Sequence, residues 1–138
     1  MSRISTLWIQ TSGRGLIEIT GKVNALLETR GLSEGLCTVF VRHTSASLLI
    51  QENADPDVLI DLEHWLGRWV EDGDPAFRHR SEGPDDMAAH IRSALTQTSI
   101  GIPFSEGRLA LGTWQGLYLW EHRYSAHERQ VLVHLSAV

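Results

Sequence analysis

The sequence predicts one α+β domain that combines a compact, sandwich-like mixed or antiparallel sheet with about three helices. Segments with the two-residue period of β-strands dominate both ends of the chain, and segments with the period of helices lie in the middle. A chain of 138 residues is long enough to bury a core of its own. Residues 1–138 are therefore expected to form a single domain.

The first part of the chain predicts two strands and a helix. Residues 3–19 alternate apolar and polar side chains, and the break at residues 11–15 predicts that the two strands form a hairpin. A short helix is predicted from Thr20, whose hydroxyl can cap it, to Arg30. Gly31 then supplies the signal that ends this helix.

The middle of the chain predicts two strands, two helices and a loop. Two β-like segments over residues 35–50 are followed by Asp55-Pro56, a strong helix-start signal ahead of apolar residues at helical spacing. Residues 71–84 are polar and rich in Gly and Pro, which predicts a surface loop. A third helix is predicted over about 85–97, and β-like segments complete the chain. The predicted buried face of the third helix consists of Met87, Ala88, Ile91 and Leu95.

Composition narrows the classes of partner. The net charge of −5 and the pI near 5.7 disfavour a nucleic-acid-binding or anionic-membrane surface. No segment approaches the ~20 apolar residues of a membrane span, and the N-terminus lacks a signal-peptide pattern, so a soluble cytoplasmic protein is expected. The single cysteine, Cys37, excludes an intrachain disulfide and a zinc site built on paired cysteines.

A cluster of histidines and acids lies between residues 79 and 90. Asp86 and His90 are four residues apart and share one face of the predicted helix, and His79 precedes them in the loop. Two imidazoles and a carboxylate can bind a borderline divalent ion such as Zn²⁺ and leave a position open for water or substrate. The alternative is a set of solvated or structural histidines.

A second polar cluster occupies residues 42–56. His43 ends an apolar run, where it is either a third imidazole for the same ion or a general base paired with Glu52 or a neighbouring hydroxyl. The chain contains no G-x-S-x-G motif, so a serine hydrolase is not predicted. It also lacks the glycine-rich motifs of nucleotide-binding folds.

A third cluster follows residue 111. On an extended strand Gln115, Glu121 and Arg123 share one face, and Trp114 lies on the other. Both faces carry large or functional groups, so this strand is predicted to be buried on both sides or to lie at an interface. Arg123 either binds a phosphate or carboxylate or forms an ion pair with Glu121 or Glu128.

Taken in order along the chain, these motifs resemble the YjbQ family, whose members are also described as secondary thiamine-phosphate synthases. The resemblance rests on His43-Thr44-Ser45-Ala46-Ser47, Glu52-Asn53-Ala54-Asp55-Pro56, His79 with Glu82-Gly83, Asp85-Asp86 through His90, Pro103 with Gly107, and Gly112-Thr113-Trp114-Gln115. It covers nearly the whole chain. Phe77 and Asp86 depart from the commonest pattern of the family, which has tyrosine and asparagine at these positions.

The resemblance implies a compact sandwich-like α+β fold, a homotrimer, and a polar pocket near a subunit boundary. The implied reaction joins a hydroxymethylpyrimidine diphosphate to a thiazole phosphate and releases pyrophosphate, so small phosphorylated metabolites are the expected ligands. Such a reaction needs a divalent cation, Zn²⁺ or Mg²⁺, to neutralise the departing pyrophosphate.

The three clusters supply candidates for each role in such a site. The expected metal ligands are His43, His79, Asp86 and His90. The expected catalytic residues are His43, Glu52, Gln115 and Arg123, and the expected substrate-binding residues are Thr44, Ser45, Asn53, Trp114 and Glu121. The alternative function is a non-enzymatic trimeric module that binds a metal or a small anion, which the five tryptophans and the sparse nucleophiles favour.

Overall fold

Two antiparallel sheets and three helices make up residues 3–138, which the computed structural model describes. The strands are β1 (Ile4–Gln10), β2 (Gly15–Glu18), β3 (Gly35–Val41), β4 (Ala46–Glu52), β5 (Ser99–Ser105), β6 (Arg108–Leu109), β7 (Gln115–Glu121) and β8 (Glu128–Ala137). The helices are α1 (Thr20–Arg30), α2 (Pro56–Trp69) and α3 (Asp86–Leu95). The loop predicted over residues 71–84 contains no helix or strand.

The strands are divided unequally between the sheets. The larger sheet has the order β1-β8-β3-β5-β6, and the smaller sheet has the order β2-β7-β4. Every neighbouring pair runs antiparallel. The predicted α+β class with an antiparallel, sandwich-like sheet is therefore confirmed.

The predicted N-terminal hairpin is wrong. β1 pairs with β8, with Ile4 opposite His134, whereas β2 pairs with β7 in the other sheet. Alternating polarity identifies a strand but does not select its partner. The segment between the two strands instead crosses from one sheet to the other, and Thr11 anchors it by donating its backbone amide to the carbonyl oxygen of His127 at 2.8 Å.

The main core lies between the two sheets. Val39 and Val133 from the larger sheet and Leu48 and Leu119 from the smaller sheet belong to one continuous cluster of buried side chains. Full burial of an aliphatic side chain of this kind stabilises a fold by roughly 1.5–3 kcal/mol. The alternation of each strand therefore directs its apolar residues to a shared interior.

Helix α1 begins and ends where the sequence predicts. Gly31 ends it in the left-handed conformation, with φ of 63°, which glycine adopts without strain. The predicted cap is wrong, because Ile19 occupies the N-cap position. The Thr20 hydroxyl instead donates to Glu18 at 2.9 Å and accepts the Leu117 amide at 2.8 Å. Thr20 therefore connects α1 to β7.

Helices α2 and α3 cover the outer face of the smaller sheet. Leu66 of α2, Ala88 of α3 and Trp120 of β7 pack into a second apolar cluster. The middle strand β7 is consequently buried on both faces, as the sequence predicts. With 14 residues α2 is shorter than a bilayer span, and no other helix in the described chain has the length and apolar composition to cross a membrane.

The start of α2 follows its sequence signal. The Asp55 carboxylate accepts the backbone amide of Asp57 at 2.9 Å, and Pro56 occupies the first helical position. A side-chain cap of this kind is worth about 1 kcal/mol. The amide satisfied by Asp55 would otherwise have no partner within the helix.

The predicted buried face of α3 is confirmed for Ala88 and Ile91, which pack into the second apolar cluster, and is wrong for Leu95. Leu95 is 57% exposed, whereas Asp86 and Arg92 are buried beside Ala88 and Ala89. Apolar spacing is a poor guide here because the two charged side chains have buried partners on neighbouring elements, which makes their burial tolerable. These partners form the candidate site.

Candidate functional site

Three of the predicted metal ligands come together where the preceding loop meets α3. The Nε2 atoms of His79 and His90 lie 2.6 Å and 3.1 Å from Oδ2 of Asp86. The three potential ligand atoms all lie within 4.8 Å of one another. The helical spacing of Asp86 and His90 and the loop position of His79 therefore produce the arrangement that the sequence predicts. We call these three residues the His₂Asp cluster.

The orientation of His90 is fixed by a backbone group. Its Nδ1 atom lies 3.1 Å from the carbonyl oxygen of Thr44, which can only accept, so Nδ1 carries the hydrogen. In the neutral imidazole, Nε2 then presents a lone pair to the carboxylate oxygen of Asp86. Two lone pairs at this distance repel unless a proton or a cation lies between them. The same backbone bond is typical of histidines that bind metals.

Arg123 holds the second oxygen of Asp86. Its three guanidinium nitrogens donate to Asp85 Oδ2 at 3.0 Å, to Asp86 Oδ1 at 2.6 Å and to the carbonyl oxygen of Glu82 at 2.9 Å. Neither of the predicted ion pairs, with Glu121 or Glu128, is formed. Each of the three nitrogens thus donates to an acceptor of the same chain, so Arg123 positions Asp86.

Asp86 is ionised despite being buried. Burial alone would raise the pKa of its carboxyl group, but the hydrogen bond to His79 and the interactions with Arg123 and His90 outweigh burial and lower the pKa. A carboxylate must be deprotonated to bind a metal ion. The surroundings of Asp86 therefore hold it in the metal-binding form.

The His₂Asp cluster is accessible to solvent. The side chains of His79 and His90 are 38% and 33% exposed, whereas that of Asp86 is 5% exposed. A cavity of about 210 Å³ adjoins the cluster. It is lined by Gly73, Asp74, Phe77, His79, Arg80, Gly83 and Pro84. The cluster can therefore admit a water molecule or a small ligand.

His43 and Ser45 belong to a separate network, outside the cluster. His43 Nε2 accepts the backbone amide of Gln130 at 2.7 Å, and its Nδ1 lies 3.4 Å from Arg129. Arg129 also donates to the buried Ser45 hydroxyl at 3.0 Å. Burial and the charge of Arg129 both lower the pKa of His43. Both ring nitrogens of His43 therefore face Arg129 and the Gln130 amide, and not Glu52 or a neighbouring hydroxyl, and within one chain His43 lies outside the metal-type cluster.

Glu121 is the buried acid of the network around Arg129. Its carboxylate accepts the Thr11 hydroxyl at 2.6 Å, the Arg129 Nε at 2.8 Å, and the backbone amides of His122 and Arg123 at 3.0 Å and 3.1 Å. The predicted substrate-binding role of Glu121 does not fit this geometry, because donors of the same chain occupy both oxygens. Glu121 instead fixes the backbone that carries Arg123 to Asp86.

The remaining predicted residues lie at the opposite end of the smaller sheet. Glu52 pairs with Gln115 at one end of β4 and β7, whereas Ala46 pairs with Glu121 at the end near the cluster. Six residues of extended strand separate the two ends by about 20 Å. The distant group contains Glu52, Asn53, Trp114 and Gln115. Within one chain, the predicted composite pocket is therefore divided in two.

The distant group organises its own turns. Asn53 donates to the carbonyl oxygens of Thr113 and Gln115 at 3.2 Å and 3.1 Å, and Glu52 accepts the amide of Ala54 at 2.9 Å. Trp114, by contrast, is 65% exposed and available for contact. These polar side chains stabilise the connections at this end of the sheet.

A buried polar chain beside the cluster was not predicted. The Nε2–H of His122 donates to the Ser47 hydroxyl at 2.8 Å, because Nδ1 accepts the Nε–H of Arg92 at 3.2 Å. Arg92 in turn donates to Glu63 at 2.5 Å. Burial, followed by the charge of Arg92, lowers the pKa of His122 to about 2. The sequence shows that His122 follows the apolar residues of β7 closely, but it does not identify Arg92 of α3 as its partner.

The neutral state of His122 predicts a loss of stability in acid. The unfolded imidazole binds a proton near pH 6.5, whereas the folded one stays neutral down to a pH of about 2. The unfolded state therefore binds more protons below pH 6.5, and the free energy of unfolding falls as the pH drops, by up to about 1.4 kcal/mol per pH unit. Urea unfolding of the wild type and His122→Gln at several pH values measures the difference.

The His122→Gln variant should show a shallower pH dependence than the wild type. Glutamine keeps one donor for Ser47 and one acceptor for Arg92, but it does not bind a proton in this pH range. The difference between the two proteins therefore reports on the protonation of the His122 imidazole. His64→Gln, at an exposed position of α2, serves as the control and should match the wild type. Equal slopes in all three proteins would contradict the neutral assignment.

The fold and the cluster define a small two-sheet α+β protein with a candidate divalent-metal centre at the edge of its smaller sheet. The sequence profile described as "UPF0047 protein YjbQ-like" matches residues 5–137. The chain belongs to this family.

Relatives and solved structures agree with this assignment. The chain is 57% identical over 130 residues to UPF0047 protein sll1880 of Synechocystis, covering 94% of this chain and 88% of that protein. It is 38% identical to UPF0047 protein YjbQ of Escherichia coli O157:H7, covering 94% of each. A crystal structure of a YjbQ/UPF0047 protein from Clostridium acetobutylicum superposes with a TM-score of 0.87 at 34% identity, covering 96% of this chain and 99% of the other.

Proposed function

We propose that this protein is a metal-assisted enzyme whose divalent ion is held by the His₂Asp cluster. The observation that carries the proposal is the convergence of His79 Nε2 and His90 Nε2 on one oxygen of Asp86, with Nδ1–H of His90 committed to the carbonyl oxygen of Thr44. This arrangement leaves both Nε2 atoms and the carboxylate available to one ion.

The donor set favours Zn²⁺ over Mg²⁺. Imidazole nitrogens suit zinc, whereas Mg²⁺ prefers oxygen ligands and retains most of its waters. Three protein ligands leave a position free, as in catalytic zinc sites. When bound, such an ion acts as a Lewis acid toward a phosphoryl oxygen or lowers the pKa of a bound water. Arg123 and the Thr44 carbonyl would hold Asp86 and His90 in position for it.

The named reaction in this proposal is thiamine-phosphate synthesis, with hydroxymethylpyrimidine diphosphate and thiazole phosphate as substrates. Its support is the family membership together with an accessible metal-type site. Arg123 is paired with Asp85 and Asp86, so the diphosphate charge would be neutralised by the ion and by Arg80. Arg80 lines the adjoining cavity, and its Nε and Nη2 donate to backbone carbonyl oxygens and not to carboxylates.

The cavity beside the His₂Asp cluster is too small to enclose both substrates. About 210 Å³ is below the 300–1,000 Å³ of pockets that enclose drug-sized ligands. A second substrate therefore needs surface beyond this cavity, which favours the proposed homotrimer with its site near a subunit boundary. Trimer formation and a cytoplasmic location remain predictions.

The experiment that tests the proposal uses purified protein stripped of metal and reloaded with Zn²⁺, Mn²⁺ or Mg²⁺. We expect stoichiometric zinc binding and formation of thiamine phosphate from the two precursors only in the metal-loaded protein. Absence of product with every metal would refute the named reaction. Absence of stoichiometric binding of any of the three ions would refute the metal site itself.

The second candidate function is a non-enzymatic module that binds a metal or a small anion. The engagement of every Arg123 nitrogen favours it, because this removes the side chain best placed to hold a departing pyrophosphate. Stoichiometric metal binding without any product in the same experiment would favour this function over the enzyme.

Arg123→Gln is expected to weaken zinc binding by about 10- to 100-fold, the usual cost of losing a residue that orients a metal ligand. The three ligands remain, but Asp86 loses the donor at 2.6 Å that fixes its second oxygen. Competition with a coloured chelator measures the affinity. Arg108→Gln, at an exposed position of β6, is the control. An unchanged affinity in Arg123→Gln would contradict the positioning role.

A further inference from the structure

A fourth potential ligand, the carboxylate of Glu82, adjoins the His₂Asp cluster. Its Oε2 lies 3.3 Å from Nε2 of His79, the same nitrogen that lies 2.6 Å from Oδ2 of Asp86. Two ligand atoms bound at about 2.1 Å to one tetrahedral zinc ion lie roughly 3.4 Å apart. The contact between Glu82 and His79 therefore has the spacing of two ligands of one ion, whereas the contact between His79 and Asp86 has to lengthen when an ion enters.

The carboxylate of Glu82 is accessible, and its backbone is held beside the cluster. The side chain is 62% exposed, and no lysine or arginine forms an ion pair with it within residues 3–138. The carbonyl oxygen of Glu82 accepts Nη2 of Arg123 at 2.9 Å. Because Arg123 also donates to Asp86, the same guanidinium anchors both residues. A side chain that is free to rotate is thus attached to a fixed backbone.

The Glu82 carboxylate lies at the margin of the cluster. The ligand atoms of His79, Asp86 and His90 all lie within 4.8 Å of one another, and Glu82 is outside that set. Rotation about its side-chain bonds has to bring the carboxylate closer before all four residues can share an ion. The exposure of the side chain leaves room for this rotation. An exposed pair of this kind is weakly held, so the carboxylate is also easily displaced.

The charges around the cluster favour a divalent cation. Glu82, Asp85 and Asp86 contribute three carboxylates, whereas Arg123 contributes a single positive charge. The oxygens of Glu82 and Asp86 that face His79 Nε2 are at most about 6 Å apart, a distance at which like charges oppose each other. With neutral imidazoles, two negative charges are in excess. An ion of charge +2 neutralises them.

We propose that Glu82 is a fourth, displaceable ligand of the ion at the His₂Asp cluster, which binds the ion in the absence of substrate and is replaced by an oxygen of a phosphoryl group. The inference rests on the proposed metal-assisted function and adds a form of regulation to the same site. In the resting protein, Glu82 completes the four ligands that zinc prefers. The position that the substrate needs is then closed until a competing oxyanion arrives.

The test uses the purified full-length protein loaded with Co²⁺, whose visible absorption reports on the number and arrangement of its ligands. In the wild type we expect a saturable change of the spectrum on addition of inorganic phosphate, as Glu82 leaves the ion. Glu82→Gln should have an altered spectrum before phosphate is added, and it should bind Zn²⁺ about tenfold more weakly. An unchanged Co²⁺ spectrum in Glu82→Gln would overturn the inference.

Two further variants separate the loss of a ligand from the loss of a charge. Glu82→Asp keeps the charge but shortens the side chain, so both it and Glu82→Gln should bind phosphate severalfold more tightly than the wild type when loaded with Co²⁺. Tighter binding in Glu82→Gln alone would assign the effect to charge and overturn the inference. Glu71→Gln, at an exposed position of the same loop, should match the wild type. Absence of Co²⁺ binding by the wild type would refute the metal site of the proposed function and this inference with it.

Discussion

His90→Ala is expected to abolish stoichiometric zinc binding, with a loss of affinity greater than about 100-fold, because a ligand counts for more than the residues that orient it. The variant removes one of two imidazoles and also the bond to the Thr44 carbonyl that aims it. His90 is only partly buried, so the fold should survive the change. Metal content after gel filtration and chelator competition measure the loss.

His64→Ala is the matched control for this prediction. Both histidines lie on helices that cover the smaller sheet, but His64 is exposed and outside the His₂Asp cluster. Its metal content should equal that of the wild type. Retention of full zinc binding by His90→Ala, or an equal loss in both variants, would show that the cluster is not the metal site.

Glu121→Ala is expected to destabilise the protein by about 3–5 kcal/mol, the usual consequence of removing one partner of a buried ion pair. Arg129 would remain buried without its charge partner, and two backbone amides and the Thr11 hydroxyl would lose their acceptor. For a domain of this length, the melting temperature should fall by roughly 10–20 °C. Thermal and urea unfolding provide the measurements.

The effect of Glu121 should depend on pH. Burial alone would raise its pKa, but the hydrogen bonds from Arg129 and Thr11 outweigh burial and lower it. A carboxyl group with a lowered pKa stabilises the fold above its unfolded pKa and loses that contribution as the pH falls through its folded pKa. The gap between wild type and variant should therefore narrow in acid. Glu28→Ala, at an exposed site of α1, should change stability by less than about 0.5 kcal/mol.

A loss of less than about 1 kcal/mol in Glu121→Ala at neutral pH would contradict this account. Such a result would place the pair in the range of exposed ion pairs, despite the burial of Glu121. The Arg129 network would then lack the structural role inferred for it.

Local signals in the sequence predicted the helices well. Asp55-Pro56 determines where α2 begins. The Asp55 carboxylate accepts an amide of the first helical turn, and the ring of Pro56 fixes its backbone angle near the helical value, so both effects are local in sequence. Gly31 ends α1 for a similarly local reason. The metal-type cluster was also predictable from local spacing, since Asp86 and His90 are neighbours on any helix that contains both.

Features that depend on distant partners were not predictable. The side chain of His43 is committed to the amide of Gln130, which no pattern near His43 reveals. Glu52 and Gln115 are neighbours through the antiparallel register, which carries both of them away from the cluster. Arg92 lies on the buried face of α3 because it donates hydrogen bonds to Glu63 and His122 on other elements. The spacing of apolar residues along α3 gives no sign of these partners.

The position of β8 in the larger sheet has a consequence for how the chain folds. β8 lies between β1 and β3, so its strand order joins residues from the two ends of the sequence, with Ile4 opposite His134. During synthesis, β1 and β3 cannot take their places in the sheet until β8, which lies between them, has been made. A topology so rich in distant pairings is expected to fold in milliseconds to seconds rather than microseconds. Until then, two strand edges lack their partner, a condition that makes folding intermediates prone to aggregation.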